Sequence, residues 1–127
     1  MTETSRTILA VEDENHMITL MKYNLEAAGY KFNSVKNGVE AIAFCRKFKP
    51  DLIISDIGMP EMDGYQLREY LLQDAQLAKI PFIFLSAKTQ SEDLFRGMRL
   101  GVSHFLTKPF EPRLLIETVA AVLRRNT

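Results

Sequence analysis

The apolar residues of this chain follow two alternating patterns. Short, nearly continuous apolar runs recur along the sequence, and such runs are typical of strands buried on both faces of a sheet. Longer stretches lie between them, in which apolar residues recur every three or four positions, as on one face of a helix. The predicted strands cover residues 7–11, 31–35, 51–55, 82–85 and 104–107. The pattern therefore predicts a chain in which strands and helices alternate.

Turn residues separate five predicted helices from these strands. The first helix should begin near Asn15 and stop at Gly29, and the fourth should run from about Glu92 to Leu100. In the second, third and fifth helices, one face carries the residues expected to contact the core: Ala41, Cys45, Phe48, Leu67, Tyr70, Leu71, Leu115, Thr118, Val119 and Val122. Short connections favour right-handed crossovers. The sequence therefore predicts an α/β fold: a flavodoxin-like, doubly wound, five-stranded parallel sheet in the order 2-1-3-4-5 with five helices.

Length and composition are those of one ordinary domain. The chain has 127 residues, 46% hydrophobic and 25% charged, which is enough to build a single core. Its 16 basic and 16 acidic residues cancel, so overall charge does not attract it to nucleic acid or to an anionic membrane. No apolar run reaches the roughly 18 residues of a membrane span. Methionines such as Met17, Met21 and Met98 suit a core, and the lone Cys45 suits a reducing cytoplasm.

Reactive side chains follow four of the five predicted strands. In chain order they are Glu12 and Asp13, Asp56, Ser86 and Ala87, and Lys108. Ligands of open parallel sheets bind outside the carboxyl ends of the strands, at the point where the strand order reverses. We therefore expect these residues to meet at one edge of the sheet, although distant parts of the chain supply them.

The three carboxylates would repel one another unless a cation lay between them. A hard divalent cation with oxygen ligands, completed by waters and phosphate oxygens, suits this set, and Mg²⁺ is the predicted cofactor. Such a site would withdraw charge from an incoming phosphoryl group, so that Asp56 attacks it as a nucleophile. Lys108 would pair first with Asp56 and later with a phosphoryl oxygen. The Ser86 hydroxyl and the backbone N–H of Ala87 would bind another oxygen.

Each part of this set also has an ordinary structural interpretation. Residues 12–14 (EDE) would suit the positive end of a helix dipole. A single Asp after a strand is usually a turn or cap residue, and Lys108-Pro109 is a common way to leave a strand. The combination, in this order and at these strand ends, favours a phosphoryl-transfer site.

With these motifs the sequence resembles the receiver domain of two-component response regulators over about residues 5–125. The matching segments are 8–14 (ILAVEDE), 50–60 (PDLIISDIGMP), 62–64 (MDG), 85–87 (LSA) and 105–110 (FLTKPF), together with Gly101. The resemblance implies that a sensor histidine kinase or a histidine phosphotransfer protein phosphorylates Asp56. It implies that Asp56, Asp13 and the Gly58 carbonyl ligate Mg²⁺ and that Glu12 acts on the metal, often through water. It also implies that Ser86 and Phe105 form a switch pair, and that the bond before Pro109 is cis.

The resemblance further implies a signalling switch that catalyses only its own phosphorylation and dephosphorylation. Phosphorylation would change the face formed by the fourth helix, the fifth strand and the last helix, and so regulate a partner or an output domain. We expect one receiver domain over residues 1–127, with a folded core at about 5–125 and any output domain C-terminal to 127. Thr118 stands where the DNA-binding branch usually has Arg, so we expect a monomer or a weak, phosphorylation-dependent dimer.

Two other functions are compatible with parts of the sequence. An aspartyl-phosphate phosphatase acting on external substrates would need a second catalytic carboxylate two residues after the nucleophile, where Gly58 stands. A receiver that binds partners without being phosphorylated would not need the chemical residues, yet all of them are present. Both alternatives therefore fit less well than a phosphorylated switch.

Overall fold

One parallel sheet organises the molecule. The computed structural model describes residues 5–59, 61–86, 96–102 and 104–125. Its strands are β1 (Thr7–Val11), β2 (Lys31–Val35), β3 (Leu52–Asp56), β4 (Phe82–Ser86) and β5 (His104–Thr107). They lie in the order β2-β1-β3-β4-β5, and every neighbouring pair is parallel. The predicted fold class and strand order are confirmed.

Helices cover both faces of this sheet. They are α1 (Asn15–Ala27), α2 (Gly38–Lys47), α3 (Gly64–Leu72), the described part of α4 at residues 96–99, and α5 (Pro112–Arg125). A short 3₁₀ turn at Leu77–Lys79 precedes β4. The predicted start of α4 near Glu92 lies outside the described residues. Of the helices in the described ranges, none combines the length and apolar character needed to cross a membrane.

The core consists of two layers, one on each side of the sheet. Successive side chains of β1 alternate between them: Ile8 and Ala10 pack with α1 and α5, whereas Leu9 and Val11 pack with α2 and α3. Such alternation follows from the two-residue repeat of a strand. Both layers are mainly apolar, whereas the carboxyl end of the sheet carries charged side chains.

The first turn of α3 lies directly against the end of β3. Asp63 caps this helix, since its carboxylate accepts a hydrogen bond from Gln66 N at 2.8 Å while the Gln66 side chain accepts one from Asp63 N at 3.0 Å. Gly64 follows, and a Cβ at that position would lie only 2.7 Å from the carbonyl oxygen of Asp56. Only glycine allows this approach, so the sequence Asp63-Gly64 places α3 beside the residue that ends β3.

Several of the predicted details differ in the structure. Phe48 lies just after α2 and is 65% exposed, and Tyr70 is 38% exposed, so neither faces the core as predicted. The prediction that Met98 is a core residue is wrong, because its side chain is 59% exposed. Met17 and Met21 are buried, as predicted. The third strand is shifted by one position and includes Asp56.

Candidate functional site

Three carboxylates meet at the carboxyl end of the sheet. One ligand oxygen each from Glu12, Asp13 and Asp56 lies within 4.8 Å of the other two. The first two residues follow β1 and the third ends β3, and these strands pair directly, with Val11 opposite Ser55. The pairing of neighbouring strands thus brings together side chains that are more than forty residues apart in the chain.

Lys108 provides the positive charge of this cluster. Its Nζ lies 2.8 Å from Glu12 Oε1 and 3.3 Å from Asp56 Oδ2. Its backbone N–H donates to the Ser86 carbonyl at 2.7 Å, which fixes the residue to the end of β4, and the Lys108–Pro109 bond is cis as predicted. The ammonium therefore lies closer to Glu12 than to Asp56, whereas the sequence predicted Asp56 as its first partner.

Glu12 is fully buried, although it carries a carboxylate. Its Oε2 accepts a hydrogen bond from Glu14 N at 3.1 Å. Its Oε1 has no well-aligned hydrogen bond among the described residues, so its short contact with Lys108 is an ion pair. Burial raises the pKa of Glu12, and the nearby charge of Asp56 adds to the effect, while Lys108 and the Glu14 amide oppose it. Burial lowers the pKa of Lys108, but Glu12 and Asp56 outweigh it, so that pKa is raised.

Asp56 is open on one side. Its side chain is partly buried, and its Oδ1 lies 3.4 Å from the backbone nitrogen of Gly58. A Cβ added at Gly58 would meet no atom of the described residues within 4 Å, so those residues leave the space beside this turn free. The peptide of Gly58 lies close to the cluster, while the role of its carbonyl as a metal ligand stays a prediction.

The two residues of the predicted switch pair lie at different depths. Ser86 is buried as the last residue of β4, and Phe105 is half-buried in β5, where it pairs with Phe84. The rings of Phe105 and Phe84 are 5.8 Å apart. A Cβ at Gly97 would lie 2.5 Å from the Phe105 ring, so this ring lies directly beneath α4. Ala87, predicted to bind a phosphoryl oxygen, is outside the described residues.

Sequence reasoning missed one buried charged residue, Arg68. It lies on the inner face of α3 with Gly64 and Leu71, where the prediction had placed Tyr70. Its position, four residues after Gly64 and three before Leu71, is the helical spacing that could have identified it. Its contacts lie away from the carboxylates, with the end of α4 and the residue preceding Pro81.

The arrangement fits a hard divalent cation. Each of its three acidic residues offers a carboxylate oxygen, the ligand type that Mg²⁺ prefers. Among the described residues, one cation, Lys108, contacts the buried Oε1 of Glu12, and Asp13 is exposed to solvent. Asp56 combines an accessible carboxylate with an adjacent ammonium, which suits attack on a phosphoryl group. The donor set therefore fits both the metal and the nucleophile that the sequence predicted.

The comparisons with known proteins agree with this site. The model of the response regulator receiver domain matches residues 8–120, and the chain belongs to that family. It is 38% identical over 122 residues to the alkaline phosphatase synthesis transcriptional regulatory protein PhoP of Bacillus subtilis. This match covers 96% of the chain and 50% of PhoP, and the chain spans about half the length of the curated relatives that it matches first.

Solved structures give the same result. The signal receiver domain of a signal transduction histidine kinase from Syntrophus aciditrophicus is 39% identical, with a TM-score of 0.87 over 95% of this chain and 92% of that one. The receiver domain of a sensor histidine kinase from Pseudomonas aeruginosa is 25% identical, with a TM-score of 0.86 over 95% and 99%. In that structure a magnesium ion is coordinated in the active-site cleft. The chain is thus a receiver domain of the two-component type.

Proposed function

We propose that this receiver domain accepts a phosphoryl group on Asp56, from a sensor histidine kinase or a histidine phosphotransfer protein. The observation that carries the proposal is the meeting of Glu12, Asp13 and Asp56 with the Lys108 ammonium at one sheet edge. In the proposal, Asp13, Asp56 and the Gly58 carbonyl hold Mg²⁺, and Glu12 acts on the metal through water. The domain acts in the cytoplasm, where the Cys45 thiol stays reduced.

The position of each residue in the cluster determines its role in the reaction. Bound Mg²⁺ supplies charge withdrawal from the phosphoryl oxygens. Asp56 supplies the attacking oxygen from its open side, next to Gly58. Lys108 leaves its ion pair with Asp56 and pairs with a phosphoryl oxygen, while the Ser86 hydroxyl and the Ala87 N–H bind a further one. In the same proposal the domain also catalyses its own dephosphorylation, with water reaching the phosphoryl group past Gly58, which has no side chain.

The response is a change of surface. Ser86 moves toward the phosphoryl group, and Phe105 turns inward from its half-buried position. The face formed by α4, β5 and α5, on which Met98 and Leu114 are 59% and 48% exposed, then changes its affinity for a partner. That partner is a downstream protein, a second copy in a weak dimer, or an output domain C-terminal to residue 127. The half-length match to a transcriptional regulator supports the last of these.

Phosphorylation by a small donor tests the proposal. Acetyl phosphate with Mg²⁺ should add one phosphoryl group per chain, as seen by intact mass, and peptide analysis should place it on Asp56. Asp56→Asn should abolish the addition, and so should removal of Mg²⁺. The matched control is Asp51→Asn, which makes the same change at the opposite end of the same sheet, where Asp51 accepts a bond from Thr7 N. A label on Ser86 or on a histidine, or normal labelling of Asp56→Asn, would contradict the mechanism.

A further inference from the structure

Arg68 is a buried cation outside the carboxylate cluster. Its side chain is 7% exposed in the middle of α3. Its Nε donates a hydrogen bond to the Leu100 carbonyl at 3.0 Å, and its Nη1 donates to the Ile80 carbonyl at 3.4 Å. Its guanidinium lies over the Phe82 ring, 5.6 Å from the centroid. No carboxylate in the described ranges forms an ion pair with it. Its partners are therefore backbone oxygens and a ring.

The Leu100 carbonyl lies at the C-terminal end of α4. The helix closes there in a turn in which Val102 N donates to the Gly97 carbonyl at 2.9 Å and Gly101 has a φ of 81°. The last carbonyls of a helix lack partners within it and carry partial negative charge, so a cation is favourable at this position. The contact of Arg68 with Leu100 thus joins the end of α4 to α3.

Stability alone is a weak explanation for a charge at this position. Burial lowers the pKa of the Arg68 guanidinium, which reflects the unfavourable desolvation of its charge. Apolar residues of similar volume are often equally or more stabilising than buried ionic groups. A residue that departs from such a local preference is more often found where function requires it. The position of α4 is the property that this contact directly controls.

The other described end of α4 lies on the predicted switch residue. Gly97 approaches Phe105 so closely that a Cβ would lie 2.5 Å from its ring. Inward movement of Phe105 must therefore change what α4 rests on. Next to Gly97, Arg96 lies over the ring of Tyr65, 4.2 Å from its centroid, so α3 contacts α4 a second time. A change at Phe105 acts on the described part of α4 near Gly97, while Arg68 holds the C-terminal end of this helix.

We propose that Arg68 is a positioning residue that holds α4 in its resting place and so opposes the arrangement that phosphorylation favours. This inference rests on the proposed function, because it concerns how a change at Asp56 reaches α4. By thermodynamic linkage, a contact that favours the resting arrangement must lower the affinity for any ligand that favours the other arrangement. Removing the contact should therefore strengthen binding of a phosphoryl analogue at Asp56, although Arg68 does not touch that site.

Beryllofluoride with Mg²⁺ is the probe, titrated calorimetrically into the wild-type protein and two variants. Arg68→Met keeps the length of the side chain and removes its donors, and it should bind beryllofluoride about two- to thirty-fold more tightly. Arg46→Met is the matched control. Like Arg68, Arg46 lies over an aromatic ring: it is 5.7 Å from the centroid of Tyr70 and donates to the hydroxyl of that residue, but it joins α2 to α3. Its replacement should leave the affinity unchanged.

The amides of α4 give a second measurement that a general loss of stability would not reproduce. Hydrogen exchange of residues 100–102 should accelerate in Arg68→Met, while the β1 and β3 amides keep their wild-type rates. Equal or weaker beryllofluoride binding by Arg68→Met would overturn the inference. If Arg68→Met does not fold, Arg68→Lys is used in its place, because one ammonium cannot reproduce both directed hydrogen bonds of the guanidinium. A smaller increase in beryllofluoride affinity in Arg68→Lys would then support the inference, and no increase would overturn it. A wild-type protein that binds no beryllofluoride would instead refute the proposed function.

Discussion

Buried charges occur in two regions of this molecule, and the two differ in the partners that stabilise them. At the carboxyl end of the sheet, the buried Glu12 carboxylate lies 2.8 Å from the half-buried Lys108 ammonium. Beneath α4, Arg68 is held by carbonyl oxygens and a ring. Side-chain partners can be exchanged, since a cation or a phosphoryl oxygen can replace one of them. Backbone partners cannot be exchanged, so a charge held by them fixes a position.

The comparison leads to different expectations for the two regions. Adding a ligand should change the stability of the carboxylate cluster, because Lys108 is the one close cation that the described residues offer to Glu12 Oε1, and Asp13 faces solvent. Changing pH should affect the same cluster, because Glu12 is a buried acid with a raised pKa. Neither treatment should act directly on Arg68, whose partners do not titrate.

The largest expected effect is stabilisation by Mg²⁺. At tens to hundreds of times its dissociation constant, Mg²⁺ should raise the free energy of unfolding by about 1–3 kcal/mol, because only the folded state brings the carboxylates together. Thermal unfolding with Mg²⁺, compared with a monovalent salt at equal ionic strength, measures this. Asp13→Asn should remove the effect. Glu14→Gln should retain it, because it neutralises a neighbouring exposed carboxylate outside the cluster. Equal shifts in both variants would show that the metal does not bind there.

A smaller effect is expected from protonation of Glu12 in the metal-free protein. Its pKa in the folded state is raised from 4.5, mainly by burial. The stability that it contributes is therefore fully present below pH 4.5 and is lost as pH rises through the folded pKa. Glu12→Gln should remove this dependence and make the metal-free protein more stable than the wild type at neutral pH.

Chemical denaturation from below pH 4.5 to neutral pH measures the free energy of unfolding of Glu12→Gln, the wild type and a control variant, Glu117→Gln. Glu117 is exposed and pairs on the surface with Arg113 at 3.1 Å, a kind of pair that contributes little to stability. This control should follow the wild-type protein at every pH. If Glu12→Gln were less stable than the wild type at neutral pH, the ion pair with Lys108 would outweigh the desolvation of Glu12. The two buried regions would then differ less than we infer.

The carboxylate cluster could be predicted from the sequence because its members end strands. Once the strand order is known, the residues that follow β1, β3 and β5 must lie at one edge of the sheet. That reasoning needs no knowledge of side-chain packing. It therefore predicted the proximity of Asp13, Asp56 and Lys108, but not that Lys108 lies closer to Glu12 than to Asp56.

The region around Arg68 could not be predicted in the same way. Helical spacing allows either Arg68 or Tyr70 to lie beside Leu67 and Leu71 on the inner face. The apolar preference for Tyr70 selected the wrong residue. The partners of Arg68 are carbonyl groups, which every residue carries and which therefore leave no signal in a sequence. Phe48 was misplaced for a related reason: the helix ends at Lys47, and spacing alone does not show where a helix stops.

Exposed charges should contribute less to the free energy of association than buried charges contribute to stability, and self-association of the domain tests this. On α5, Arg113 and Glu117 pair within the helix, and Thr118 carries no charge. Any dimer through α4, β5 and α5 in the beryllofluoride-activated protein should therefore be weak. Its dissociation constant should change by less than about three-fold between low and high salt, because Arg113 and Glu117 already pair with each other and Thr118 offers no charge. Sedimentation at both salt concentrations measures this, and a tight dimer that high salt dissociates would contradict it.

The smallest effect is expected at Cys45, a buried ionisable group for which burial alone shifts the pKa. Burial raises its thiol pKa from 9.0 to about 11. Because the folded pKa is the higher one, the corresponding stability is fully present below pH 9.0 and is lost as pH rises through about 11.

Cys45→Ala should thus differ from the wild type by a constant free energy of unfolding between about pH 6 and 8, set by the small cavity. Above pH 9 the difference should narrow, since only the wild type loses stability through this thiol. Urea unfolding of both proteins across this range measures the difference, from which every contribution shared by the two proteins cancels. A difference that changed between pH 6 and 8 would mean that the thiolate has a stabilising partner, as Glu12 has in Lys108, and that burial alone does not govern this group.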